Sequence, residues 1–165
     1  GRPPVEDAPP MEMGTPLDPR GFCAQYLDVD SRPLFPFGFG LSYTQFAYAD
    51  LQLDRTSLAA DGALQVSVLL TNTGTRAGTE VVQLYTRDRV GSLTRPIREL
   101  KDFTRVTLQP GEQRRVTFTL PAAALAFHGP DMRCRVEPGK FQLWVGGSSE
   151  SGLTADFVVQ GGGHA

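Results

Sequence analysis

The sequence predicts an all-β protein: a two-sheet sandwich of about seven short strands, preceded by an extended proline-rich arm. Three observations carry that expectation. Apolar residues recur at every second position in short runs between residues 46 and 160. Turn-forming residues punctuate those runs at regular intervals. No stretch of ordinary helix length shows the 3.6-residue apolar period.

The elements follow in order. Residues 1–33 hold Pro3, Pro4, Pro9, Pro10, Pro16, Pro19 and Pro33, and read as an extended arm, because proline removes a backbone donor and turns its predecessor away from helix. Residues 34–45 read as a junction. Phe35, Phe37, Phe39, Leu41 and Tyr43 alternate there with Pro36, Gly38, Gly40 and Ser42. Pro36 argues against a central strand, and Gly38 and Gly40 permit another backbone or domain surface to approach closely. A packed seam between domains, with the aromatic residues anchored in a core, is the expected use.

The sandwich spans residues 46–160. Phe46, Tyr48, Leu51 and Leu53 mark a strand with a kink near Asp50. Leu64, Val66, Val68 and Leu70 alternate in a second, closed by the Asn72-Thr73-Gly74 turn. Val81–Thr86 is rich in β-branched residues; Leu100, Phe103, Val106 and Leu108 lead into the Gln109–Glu112 turn. Val116, Phe118 and Leu120 alternate next, and Pro121–Leu125 reads as one helical turn with proline at its first position. A short strand near Arg133–Val136, the run Phe141, Leu143, Val145, and the pair Phe157, Val159 complete the set. This pattern is that of an immunoglobulin- or fibronectin type III-like sandwich. Residues 161–165 read as a disordered tail.

Composition excludes several functions. The 165 residues carry 16 basic and 18 acidic side chains, scattered, for a net charge of -2. No basic footprint for nucleic acid or an anionic membrane is present. No run approaches the ~20 apolar residues of a membrane span. P-loop, GxGxxG, HExxH and CxxC motifs are absent, so no metal or cofactor is expected. Cys23 and Cys134 are the only cysteines, and two inert thiols are the favoured reading over a bridge. His128 sits in a loop motif without a serine or cysteine partner. The acids fall mostly at strand ends and turns, where they serve solubility, and no catalytic residue is assigned. Three side chains remain as interface or sugar-contact candidates. Arg95 and Arg98 lie in a basic loop that could grip a carboxylate, and Trp144 is either a solvent-facing stacking platform or a core residue.

Pro33–Thr44 resembles the PFGYGLSYT signature of glycoside hydrolase family 3 enzymes, bacterial β-glucosidases and β-xylosidases among them. The similarity continues through Asn72-Thr73-Gly74, Gly78–Tyr85, Arg95–Lys101 with Phe103, Leu108–Glu112 and Glu137–Phe141, and back to Gln25–Asp28 in the arm. Phe39, Gln25 and Asp102 depart from the family's commoner tyrosine, arginine and glycine. The resemblance implies the last arm of an α/β domain followed by a fibronectin type III-like domain, a structural part of a retaining, exo-acting β-glycosidase. Its expected partners are the upstream catalytic and α/β sandwich domains of the same chain, and the parent's substrate would be a β-linked oligosaccharide. The nucleophile and acid/base lie upstream in such enzymes, and no residue here matches their motifs. A periplasmic or secreted location is implied by the family alone. The alternative is a carbohydrate-binding or protein-interaction module.

Overall fold

The structure, a computed structural model, describes residues 33–93 and 95–161. The chain divides into two units, Gly1–Pro36 and Phe37–Ala165, and the second carries every strand described. Cys23, most of the proline-rich arm and residues 162–165 lie outside the described residues.

Among the described residues ten strands run in the order β1 (Phe46–Leu53), β2 (Ser57–Leu58), β3 (Ala63–Asn72), β4 (Gly78–Asp88), β5 (Glu99–Leu108), β6 (Gln113–Pro121), β7 (Phe127–His128), β8 (Cys134–Arg135), β9 (Gly139–Ser148) and β10 (Ser151–Val159). Seven are long; β2, β7 and β8 have two residues each. One sheet has the order β1-β3-β6 and the other β2-β10-β9-β4-β5, with β7 and β8 forming a separate ribbon. All pairings are antiparallel except β2 with β10.

The core lies between the two sheets because each central strand buries alternate residues. Leu64, Val66, Val68 and Leu70 of β3 are fully buried, facing Val82 and Leu84 of β4 and Phe141, Leu143 and Val145 of β9 as one apolar cluster. Phe141 and Phe157, register partners on β9 and β10, stack with centroids 5.4 Å apart. The kink expected near Asp50 is a register shift between Ala49 and Gln52, with Asp50 at φ 50°. The Arg115 guanidinium pairs with the Asp50 carboxylate and also donates to its carbonyl oxygen at 3.2 Å, which holds the bulge on the edge of the sheet. The helical turn is a 3-10 turn, Ala122–Leu125, and Pro121 stands just before it rather than at its first position. Leu125 drops into the core from that turn.

Candidate functional site

The outer face of the five-stranded sheet carries an uncommon polar arrangement. Gln83 and Tyr85 alternate with Val82 and Leu84 on β4, so both point away from the core. Sequence alternation alone would leave them in water, yet they are 5% and 1% exposed. The cover is the segment Phe37–Gly38. Gln83 Nε2 donates to the carbonyls of Gly38 (3.1 Å) and Gly147 (2.7 Å), and the Tyr85 hydroxyl donates to Gln83 Oε1. Ser149 N donates to the Phe37 carbonyl at 2.9 Å, and the Phe37 ring meets Tyr85 edge-on at 6.5 Å. Burial pushes the Tyr85 phenol above its usual value, against an opposing pull from the Arg98 charge.

Gly38 has φ +78°, and a Cβ there would collide with Gln83 Oε1 and the Tyr85 hydroxyl. The close approach expected at this glycine therefore exists, and the approaching surface is the sandwich itself. Gly40 has open space to 4 Å.

The segment runs on as a strap, Phe37–Thr44, whose far end is fixed by Asn72, the sole asparagine of the sequence and fully buried. Thr44 Oγ1 donates to Asn72 Oδ1 (2.6 Å), as does Gly74 N (3.1 Å); Asn72 Nδ2 donates to the carbonyls of Arg76 (2.7 Å) and Leu108 (3.1 Å). All four hydrogen-bonding positions of the amide are occupied. Because Asn72 ends β3 and Leu108 ends β5, this one side chain ties the two sheets together and holds the strap to both.

Between those fixings the strap's side chains face outward. Phe37, Leu41 and Tyr43 are 67%, 91% and 93% exposed, and Phe39 is half exposed. None of them enters the sandwich core. Phe35, in the unit ending at Pro36, is also exposed.

The remaining candidates are occupied within the chain. Trp144 is buried on the outer sheet face as the register partner of Tyr85, and the Arg98 guanidinium lies 4.7 Å over its ring. Arg98 also donates to the Ser149 carbonyl. The tryptophan thus packs instead of offering a ring face to solvent, because Arg98 covers its ring. Arg95 grips Glu99 with two nitrogens (2.8 and 3.1 Å to Oε1), donates to the Leu125 carbonyl and lies 4.5 Å over Phe127. Lys101 adds a second cation to Glu99 at 2.6 Å. Despite partial burial, those two cations hold the Glu99 carboxyl below its usual range. The carboxylate for Arg95 is therefore in its own sandwich.

Other acids are similarly engaged. Asp50 with Arg115, Glu112 with the Gln109 amide and Arg114, Asp131 with Arg135, and Glu137 with Ser92 all sit below their ordinary carboxylate range through those bonds. Glu80 alone among the described acids is shifted upward, by burial. It stands beside Tyr48 and Gly147, and burial, then the charge of Glu80, pushes the Tyr48 phenol up. Among the described residues no group of three or more His, Cys, Asp or Glu side chains is placed to hold a metal. Cys134 is exposed on β8 and His128 is exposed on β7.

The fold is an all-β sandwich of the fibronectin type III-like kind, and residues 80–149 match the family model described as a fibronectin type III-like domain. The chain is 41% identical over 131 residues to the periplasmic β-glucosidase of Salmonella typhimurium, and 50% identical over 127 residues to a β-xylosidase of Formosa agariphila. Those matches cover 79% and 77% of the chain but only 17% and 18% of the two relatives. The chain thus spans less than a fifth of their length. The crystal structure of β-glucosidase from Listeria innocua with glucose superposes with a TM-score of 0.80 at 36% identity, over 91% of this chain and 21% of that one. The chain resembles the C-terminal fibronectin type III-like domain of glycoside hydrolase family 3 β-glucosidases.

Proposed function

We propose that this chain is a non-catalytic, domain-stabilising part of a retaining, exo-acting β-glycosidase that hydrolyses terminal β-linked glucosyl or related residues. The observation that carries the reading is the 41% identity along 131 residues to a β-glucosidase of which the match covers only 17%. The chemistry of the acids supports it. Retaining hydrolysis uses two carboxyls ~5 Å apart, one kept protonated by its surroundings. Here the depressed carboxylates are tied to cations or amides of the same sandwich, and the raised one, Glu80, neighbours a phenol. Export to the periplasm or beyond is the location that the Salmonella relative's name favours; no described helix is long and apolar enough to cross a membrane.

The test is turnover of aryl β-glucosides and β-xylosides by the 165-residue chain and by the longer polypeptide that contains it. Activity is expected only in the longer one. Turnover by the short chain that survives repurification would refute the proposal.

A further inference from the structure

The short ribbon of β7 and β8 gives His128 the cysteine partner that its sequence neighbourhood lacks. His128 and Cys134 are register partners, and both are exposed. The Gly129 N–H donates to the Arg133 carbonyl at 3.0 Å, so the ladder bonds flank the His128–Cys134 pair instead of crossing it. In an antiparallel ladder such non-hydrogen-bonded pairs approach most closely, with Cα atoms about 4.5 Å apart and both side chains on one face. The neighbouring pair, Phe127 with Arg135, projects to the other face, which is occupied. Phe127 lies under the Arg95 guanidinium at 4.5 Å, and Arg135 pairs with Asp131 at 2.9 Å. Met132 N closes the turn by donating to the Gly129 carbonyl at 2.9 Å. The ribbon is thus braced from one side and presents an imidazole and a thiol on the other. Neither makes a hydrogen bond or ion pair among the described residues.

We infer that His128 and Cys134 form a two-donor site for a zinc ion. Zinc takes imidazole nitrogen at about 2.0 Å and thiolate sulfur at about 2.3 Å, so a tetrahedral ion holds the two about 3.5 Å apart. Facing side chains on a non-hydrogen-bonded pair reach that spacing through their rotamers, without movement of the backbone. As the zinc–sulfur bond forms, the thiol releases its proton to solvent, and the imidazole binds in its neutral form. Nitrogen and sulfur donors disfavour calcium and magnesium, which take oxygen. Among the described residues no third histidine, cysteine or acid joins the pair, so water fills the remaining positions. Two of a zinc finger's four protein ligands should supply roughly half of its binding free energy, which places Kd on the order of 10 µM at neutral pH. Because the ribbon is braced, binding orders only the two side chains. The site is independent of the glycosidase reading above.

The experiment uses the 165-residue chain with Cys23→Ser and His164→Ala, which leaves His128 and Cys134 as its only imidazole and thiol. Calorimetric titration of the reduced chain with zinc chloride should show one ion bound per chain. Cobalt(II), as a coloured substitute, should give a thiolate-to-cobalt charge-transfer band. Adding Cys134→Ser should abolish that band. Cys134→Ser and His128→Ala should each weaken zinc by about a hundredfold, since each again halves the donor set. Without metal, both variants should keep the parent's urea midpoint, because the two side chains are exposed. Zinc binding that is equal in parent and variants would overturn the inference. A loss confined to one variant would do the same, by assigning a lone thiol or a lone imidazole. So would a midpoint lowered in both variants without metal, which would give the pair a packing role. A Cys23–Cys134 bridge found by mass spectrometry in the unmodified chain would also overturn it, by removing the sulfur donor.

Discussion

Replacing Asn72 should destabilise the chain far more than any single hydrogen bond suggests. Asn72→Ala removes four bonds at once, and the one to the Leu108 carbonyl is fully buried. An unsatisfied buried carbonyl costs about 1–3 kcal/mol, and each of the three partly accessible bonds contributes about 0.5–1.5 kcal/mol net. Water can reach some of the abandoned groups, so the expected loss is about 3–5 kcal/mol against a typical total of ~5–15 kcal/mol. Thr44→Val, which removes only the strap's bond, should cost about 1 kcal/mol. Asn72→Asp is the sharper variant. It keeps the acceptor for Thr44 and Gly74 but turns an anionic oxygen toward the carbonyls of Arg76 and Leu108. Burial without a cation raises the folded-state pKa of the new acid above its unfolded value, so the folded state binds the extra proton. The deficit relative to wild type should therefore be smallest below about pH 4 and widen as pH rises through the folded pKa. Urea unfolding monitored through the single tryptophan, Trp144, gives the midpoints at several pH values. Asn72→Ala within 1 kcal/mol of wild type, or Asn72→Asp with no pH dependence beyond wild type's, would refute this account.

Two further outcomes are expected. Gly38→Ala should destabilise by about 2 kcal/mol or more, since it forces a side chain into the left-handed region and onto Gln83 and Tyr85, whereas Gly40→Ala should lie within about 0.5 kcal/mol of wild type; differential scanning calorimetry on the pair separates them. Glu80→Gln addresses the upward-shifted acid. Its folded pKa is above its unfolded one, so the stability it contributes is present at low pH and lost as pH rises through the folded value. The variant should thus gain on wild type between pH 4 and pH 8, and parallel urea midpoints across that range would contradict the assignment.

The strands were legible where one face is buried and the other wet. Leu64 to Leu70, Val116 to Leu120 and Phe141 to Val145 alternate because side chains on a pleated strand do, and their buried faces coincide with the core. β2 was invisible in sequence, since two residues carry no period and its parallel pairing with β10 is set by the tertiary fold. The outer sheet face was misleading for a related reason. Gln83 reads only as part of the strand Val81–Thr86 and Trp144 as an open question, because alternation assigns a side and says nothing about what covers it. The strap covers Gln83, and Arg98 covers Trp144. Asn72 read only as the start of a turn; its reach to Thr44 and Leu108, 28 and 36 residues away, has no local signature. Being the only asparagine was the one hint available.

The carbonyl latch at Phe37 and Gly38 also fixes where this module can be cut. A chain begun at Phe46 would keep every long strand, yet it would uncover the Gln83 amide, the Tyr85 hydroxyl and the Ser149 N–H together. It would also strand half of Asn72's acceptor capacity. The transplantable unit therefore begins nine residues before its first strand, at Phe37. Grafting it onto another protein carries an aromatic handle along whether or not the host has a place for it.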